Sequence, residues 1–364
     1  MAERKKVLFV VEAMGGGVFT YIVDLANELV NTYDMYIAYA VRKQTPADYK
    51  DYFDKRIHLV EVKNFGRSIN PTKDIKALFE IRKIAGKVKP DVIHLHSSKA
   101  GVLGRVAFNG KRVPMFYTPH GYSFLMQDHS TTKRFIYKTV EKLCGKRKCM
   151  TISCGGGEHQ ETLKLTRHAR YVDNGINIQE LQKLIKDIRI EKNHIFTVFT
   201  LGRICYPKNP VLFNRIAEAM PEVHFLWIGD GELREELKAK NIEVTGWLDR
   251  NNALAKAASA NAFLLTSLWE GLPLSLLEAM YMKKTCIVSD VIGNHDVIHN
   301  GENGYVCNQV SDFVTAIKDV QAGNSVELID VAYMEILKKY NTEIMAEKYS
   351  EIYREALINP GGIR

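Results

Sequence analysis

Residues 266–280 read TSLWEGLPLSLLEAM, and this stretch decides the fold. An apolar run that begins at Ala262 stops at Glu270-Gly271, Pro273 follows where a first helical residue belongs, and an apolar helical period carries Glu278. Proline at that position is pre-organised for a helix start. A buried strand feeding a helix is the repeating unit of parallel sheets covered by helices. The backbone from Gly271 through Leu272, Pro273 and Leu274 to Ser275 turns its amides out of the helix N-terminus, a ready seat for a diphosphate. Glu270 stands at the mouth and Glu278 about one and a half turns further in. Two carboxylates on a solvated helix start are the bland alternative; the agreement of Gly, Pro and both Glu favours a ligand site.

The same alternation extends in both directions. Short β-branched runs predict strands in KKVLFVV, DMYIAYA, IHLVEV, DVIHLHS, MFYTPHG and CMTISC, then in FTVFTLGR, VHFLWIGDG, IEVTGW, AFLLTSLWEG and CIVSDV. Helical periods lie between them at Phe19 to Val30, Thr72 to Val88, Lys99 to Phe108, Thr131 to Cys144 and Glu158 to Lys164. Further helices are expected to open near Pro210, Glu232, Asp249, Pro273 and His295. A polar helical stretch from Gln179 to Glu191 separates the two series. The chain is therefore α/β, with a Rossmann-like domain over 1–177, a second over 178–364, and a last helix at about 342–357 that packs back on the first. In doubly wound sheets ligands bind beyond the carboxyl ends of the strands, so candidate residues are sought there.

Composition narrows the class. At 364 residues, with 46% hydrophobic and 25% charged, the chain can bury two ordinary cores. Its six cysteines, at 144, 149, 154, 205, 286 and 307, match neither zinc spacing nor a short secreted framework and fit free thiols in a reducing cytosol. No apolar segment approaches the roughly 20 residues needed to span a bilayer. Residues 1–170 hold 30 Lys and Arg against 16 Asp and Glu, and the remainder 20 against 26. The first half is thus basic, which suits a partner that is anionic, such as a membrane surface, a lipid diphosphate or nucleic acid, and on charge alone equally suits a plain soluble basic surface. In STTKRFIYKTVEKLCGKRK, seven cations surround Phe135, Ile136 and Tyr137, a pattern suited to anionic headgroups or to a plain solvated face.

Further candidates follow other strands. FTVFTLGRICYPKNP ends a strand at Gly202-Arg203 and sets Lys208 ahead of a helix; two cations there suit a diphosphate leaving group. Gly15, Gly16 and Gly17 sit between the first strand and its helix, where backbone can approach a ligand closely; Thr20 and the lack of an acidic residue after the second strand exclude a nicotinamide fingerprint. His120 follows the strand in TPHGYSF. His94 and His96 share a strand face, a pattern that could suggest metal, but no carboxylate or third His follows at helical spacing, and His94 is expected to be structural. Ser98 and Lys99 open a helix and are acceptor-binding candidates. Gly229 follows another strand, in GDGE, and Trp247-Leu248 another, with Trp247 equally compatible with a core position.

With Glu270 and Glu278 separated by seven residues, and Arg203 paired with Lys208, the sequence resembles the large retaining glycosyltransferase family numbered four, of the two-domain GT-B type, over nearly its whole length. The resemblance implies two Rossmann-like doubly wound parallel sheets facing across a cleft. It implies that Glu270 contacts the donor sugar and supports positive charge at the anomeric carbon, and that Glu278 accepts from the ribose hydroxyls. Arg203 and Lys208 would clamp the phosphates, His120 would meet the sugar, the first Gly-rich turn would face the donor, and backbone near 246–248 would lie against the base. Asn209-Pro210 stands where the family more often has Gly; Asp296 replaces its Glu and Ile292 one of its Gly.

The expected function is transfer, with retention, of a hexose or N-acetylhexosamine from a UDP-sugar to a lipid-linked or polysaccharide acceptor in surface glycan synthesis, capsular or exopolysaccharide. No metal and no cofactor beyond the nucleotide-sugar substrate is expected, and the protein is expected in the cytoplasm, peripheral on the inner face of the plasma membrane. A sugar-nucleotide epimerase or phosphorylase is the alternative on the same scaffold. A nucleic-acid-binding protein, suggested by a pI near 9.0, lacks any recognisable recognition motif and is not expected.

Overall fold

The computed structural model describes residues 4–359 except 13, 43–44, 67, 127–128, 187 and 189–194. Seven strands build the first sheet: β1 (Lys6–Val11), β2 (Asp34–Tyr39), β3 (His58–Glu61), β4 (Val92–His96), β5 (Met115–Thr118), β6 (Met150–Ser153) and β7 (Ala169–Tyr171). Six build the second: β8 (Thr197–Leu201), β9 (His224–Ile228), β10 (Ile242–Val244), β11 (Ala262–Leu265), β12 (Thr285–Ser289) and β13 (Tyr305–Cys307). The orders are β3-β2-β1-β4-β5-β6-β7 and β10-β9-β8-β11-β12-β13, with every strand pair parallel. In each sheet the order reverses once, between β1 and β4 and between β8 and β11, which opens a crevice at the carboxyl ends.

Both faces of each sheet are covered, so the central strands are apolar without interruption. Val7, Phe9 and Val11 of β1 enter one core and Leu8 and Val10 the other; in the second sheet Phe199 faces one core and Val198 the opposite one. Each fully buried Phe or Leu contributes about 1.5–3 kcal/mol, so the four clusters fix strand register firmly.

The chain divides into two compact units, Met1–Asn174 with Thr342–Arg364, and Gly175–Asn341. The helix Thr342–Ile358 is counted with the first because it packs against helix Gly16–Leu29. There Tyr21 donates to the Tyr349 hydroxyl at 2.6 Å, and Tyr33 to the Ser350 carbonyl at 3.2 Å.

Several local expectations need correction. Pro273 is the N-cap, with φ −76° and ψ 120°, and the helix itself is Leu274–Tyr281. Near Glu232 there is only a 3-10 turn, Arg234–Glu236, because Asp230 bonds the Gly231 amide at 2.8 Å and competes with helical pairing. Near His295 the chain makes non-helical turns, since Gly293 has φ +86° and Asn294 bonds back to the Ser289 carbonyl. The polar stretch after residue 176 forms helix Ile178–Lys186; most of its expected continuation to Glu191 lies outside the described residues. Strands β7 and β13 were not expected.

Candidate active site

In the second unit, the loops after β8, β9, β10 and β11 carry the predicted residues. Gly202 has φ +143° and its carbonyl accepts from Trp227 Nε1 at 2.9 Å. A Cβ on Gly229, whose φ is +139°, would lie 2.2 Å from that same carbonyl, so the β8 and β9 loops touch backbone to backbone. No side chain fits there.

Arg203 and Lys208 leave this platform differently. Arg203 is half exposed, and its Nε donates to Glu232 Oε2 at 2.9 Å. Lys208 ends a 3-10 turn, Tyr206–Lys208, and is followed by left-handed Asn209, whose side chain caps helix Pro210–Glu218. Thr266 accepts the task of fastening this turn: its hydroxyl donates to the Lys208 carbonyl at 2.9 Å. The Lys208 ammonium lies 2.6 Å from Glu270 Oε1, and Ser267 donates to the same oxygen at 2.6 Å. Lys208 and Glu270 thus come together, both mostly buried.

Glu270 is held from a second side. Its amide donates to the Ile292 carbonyl at 3.2 Å, and a Cβ on Gly293 would stand 2.7 Å from the Gly271 carbonyl and 2.8 Å from Glu270 Cβ. Asp296 Oδ2 accepts from the Gly293 amide at 3.1 Å and so shapes this loop. Gly271, Leu272 and Leu274 surround the helix start, where the amides of Leu274 and Ser275 have no carbonyl four residues back within the helix. Glu278, inside the helix, is buried and pairs with Arg250 Nη2 at 2.8 Å. That partner already occupies one oxygen of the expected ribose contact.

Trp247 is 65% exposed and Leu248 37%, which removes the core reading for Trp247. Gly246, with φ +74°, makes the turn that displays them. Sequence reasoning missed Ser267, Arg250 and Gly293. Ser267 lay inside the stretch that opened the analysis, and Gly293 beside Ile292 in the Gly-rich stretch matched to the family; Arg250 acts over 28 positions and left no spacing signal.

In the first unit, Gly15 is the extended N-cap of helix Gly16–Leu29, and nothing lies within 4 Å of a Cβ built on Gly16 or Gly17. The space over this turn is open. Ser98 meets Ser123 at 3.3 Å. The Lys99 ammonium donates to the Gly66 and Ser68 carbonyls at 2.5 Å each and forms an ion pair with Asp74 at 2.7 Å, so its charge is already partnered within the first unit.

His120 has φ +56°, and both ring nitrogens are engaged, Nε2 with His96 Nδ1 at 3.1 Å and Nδ1 with Cys154 Sγ at 3.5 Å. Burial pushes its imidazole down to about 3, so it is neutral and no proton donor of the imidazolium kind. His94 is structural, bonded to Thr118 at 2.8 Å and to Tyr353. Among the described residues no group of three His, Cys, Asp or Glu is arranged to hold a metal ion, and no helix is long and apolar enough to cross a membrane.

Two doubly wound parallel units, one with cations and carboxylates gathered around a helix N-terminus at its switch point, define a glycosyltransferase of the GT-B class. Comparison with known proteins agrees. Residues 15–180 match the model described as Glycosyltransferase Family 4, and residues 195–322 match Glycosyl transferases group 1. The chain is 29% identical over 343 residues to the UDP-Gal:alpha-D-GlcNAc-diphosphoundecaprenol alpha-1,3-galactosyltransferase of Escherichia coli, covering 85% of this chain and 87% of that one. Sucrose-phosphate synthase from Thermosynechococcus elongatus superposes with TM-score 0.81 at 14% identity, over 98% of this chain and 100% of that one. HepE of Anabaena, solved with UDP and glucose, superposes with TM-score 0.76 at 14% identity over 96% and 100%. The chain belongs to glycosyltransferase family 4.

Proposed function

We propose that this glycosyltransferase moves a hexose or N-acetylhexosamine from a UDP-sugar to a lipid-linked saccharide, with retention at the anomeric carbon and without a divalent metal. The observation that carries the reading is the Lys208–Glu270 pair, 2.6 Å apart at the mouth of helix Leu274–Tyr281. The donor diphosphate takes the amides of Leu274 and Ser275, with Lys208 and Arg203 beside it; Arg203 exchanges Glu232 for a phosphate oxygen. These fixed cations stabilise the charge that collects on UDP as the glycosidic bond breaks. Glu270, held by Ser267 and Lys208, is the carboxylate for the developing positive charge at the anomeric carbon. Trp247 offers its exposed ring to the uracil, and His120 meets the sugar. Gly16 and Gly17 leave open backbone for a ligand in the first unit.

The acceptor class is supported by the Escherichia coli relative, whose name specifies a diphosphoundecaprenol-linked sugar. The helix Thr131–Cys144 supports contact with an anionic membrane face: Phe135, Ile136 and Leu143 are exposed on an element that also carries Lys133, Lys138 and Lys142.

A thermal-shift panel of nucleotide sugars, with and without EDTA, tests the reading. Stabilisation by one UDP-sugar, unchanged by EDTA and lost in Arg203→Ala, is expected. A donor that is isomerised or hydrolysed with no acceptor present would point to the epimerase alternative, and stabilisation by nucleic acid alone would end the transferase reading.

A further inference from the structure

Three buried groups that the proposed reaction does not use lie directly behind His120. Glu158 is the third residue of helix Gly156–Leu163 and is 1% exposed. Its Oε2 accepts from the Cys154 amide at 2.8 Å, just ahead of the helix, where a carboxylate is favoured by the helix dipole. A cap would need no more. Its other oxygen, Oε1, accepts at 2.7 Å from the amide of Gly121, 37 residues earlier and next to His120. One carboxylate therefore ties the end of β5 to the end of β6, with two charge-assisted bonds.

The tie falls on a strained turn. His120 holds φ +56°, a conformation that non-glycine residues keep only where their surroundings impose it, and Gly121 follows with φ +88°. The same clamp brings Cys154 Sγ to His120 Nδ1 while His96 Nδ1 meets Nε2. His96 Nε2 is buried with no partner among the described residues. A bare ring nitrogen is less costly to bury than an orphaned N–H, so the proton of His96 belongs on Nδ1. It donates to His120 Nε2. His120 then carries its own proton on Nδ1, toward Cys154, and presents Nε2 as an acceptor.

We infer that Glu158 is a positioning residue for His120: it imposes the left-handed turn and holds the ring so that Nε2 can accept a bond from a sugar hydroxyl, which in turn accepts the bond that His96 Nδ1 otherwise gives to His120. The inference rests on the reading that His120 meets the donor sugar. Nothing is asked of Glu158 in the chemistry itself.

A double-mutant cycle with Glu158→Gln and His120→Ala tests it, using UDP release from UDP-galactose with a GlcNAc-diphosphoundecaprenol acceptor of the kind named for the Escherichia coli relative, together with 15N spectra of selectively labelled histidine in the absence of substrate. Glu158→Gln keeps one acceptor oxygen and offers an NH2 where the second stood. Expected are a displaced His120 ring resonance and a kcat lowered roughly ten- to a hundredfold, as for a small misplacement of a contacting group, with KM for the donor within about twofold. In the His120→Ala background the same change should cost nothing further. Glu158→Asp, which keeps both acceptor oxygens on a shorter arm, should recover part of the loss, and takes the place of the Gln variant if that one fails to fold. Unmoved His120 resonances would overturn the inference, as would an equal loss with and without His120. A wild-type protein inert toward UDP-galactose counts against that donor and acceptor pair, while the spectra still decide the role of Glu158.

Discussion

Lys208 Nζ and Glu270 Oε1 lie 2.6 Å apart although 62 positions separate them in sequence, and both side chains are more than four-fifths buried. A pair so enclosed is fixed before a ligand arrives, because Ser267 and the Thr266–Lys208 backbone bond hold its two ends. Removing one partner leaves the other buried with too few bonds. Lys208→Ala should lower kcat/KM for the donor by about a hundredfold or more, the scale of losing a preorganised charge-stabilising group. It should also cost about 1–3 kcal/mol of stability. Kinetics of UDP release and urea melts measure both, and an unaffected kcat/KM would remove Lys208 from the site.

Gly293 tests the support behind the same carboxylate. A methyl group there would stand 2.7 Å from the Gly271 carbonyl and 2.8 Å from Glu270 Cβ, at φ +86°, so backbone has to move. Gly293→Ala should cost about 1–3 kcal/mol through strain and should depress kcat more than donor KM, since Glu270 shifts while the phosphate contacts stay. Gly17→Ala is the matched control for stability, because its added Cβ meets nothing within 4 Å. Equal melting temperatures for Gly293→Ala and the native chain would show that the loop yields without strain.

Trp247 offers the cleanest separation of binding from folding. With 65% of its surface exposed, it lends little to the core, so Trp247→Ala should change stability by less than about 0.5 kcal/mol. If its ring stacks on the nucleotide base, the dissociation constant for UDP should rise about fivefold to a hundredfold, the range of about 1–3 kcal/mol seen for base–aromatic stacking. Titration calorimetry with UDP decides this, and unchanged affinity would place the base elsewhere.

The strands of both sheets, the helix starts at Pro210 and Asp249 and the loops that carry Arg203, Lys208 and Glu270 were legible because apolar runs and caps are local signals. Two edge strands were not: ARY and YVC are three residues each, and neither belongs to a β-branched run of the kind that IEVT gives the equally short β10. The missing helices near Glu232 and His295 have a shared cause. Asp230 and Asn294 bond nearby backbone through their side chains, and this local competition overrides a weak helical period. Within the site, a residue's position was readable but its partner was not. Lys99 looked like a ligand group from its place at a helix start, yet Asp74 and two carbonyls claim its ammonium. Partners such as Arg250 for Glu278, or Glu158 for the turn at Gly121, depend on packing that spacing does not encode.

The histidines of the first unit predict the acid behaviour of the fold. His94 and His96 are fully buried, and burial holds both imidazoles well below their ordinary value; the crowding of the three rings of His94, His96 and His120 further disfavours placing positive charge on either. His120, pushed down to about 3, belongs to the same set. Because the folded values are depressed, the unfolded chain takes up protons first as pH falls through about 6.5. Stability is therefore complete above that pH and is lost progressively below it, toward the folded value near 3 for His120. Each buried neutral histidine contributes a slope of about 1.4 kcal/mol per pH unit. Urea midpoints between about pH 6.5 and about pH 5, a window above most carboxylate titration, should fall steeply in the native chain. In His96→Gln the slope should be shallower by about 1.4 kcal/mol per unit even though the absolute stability is lower. Parallel slopes in the two proteins would mean that His96 takes up its proton without unfolding the chain, and the neutral network behind His120 would then have to be abandoned.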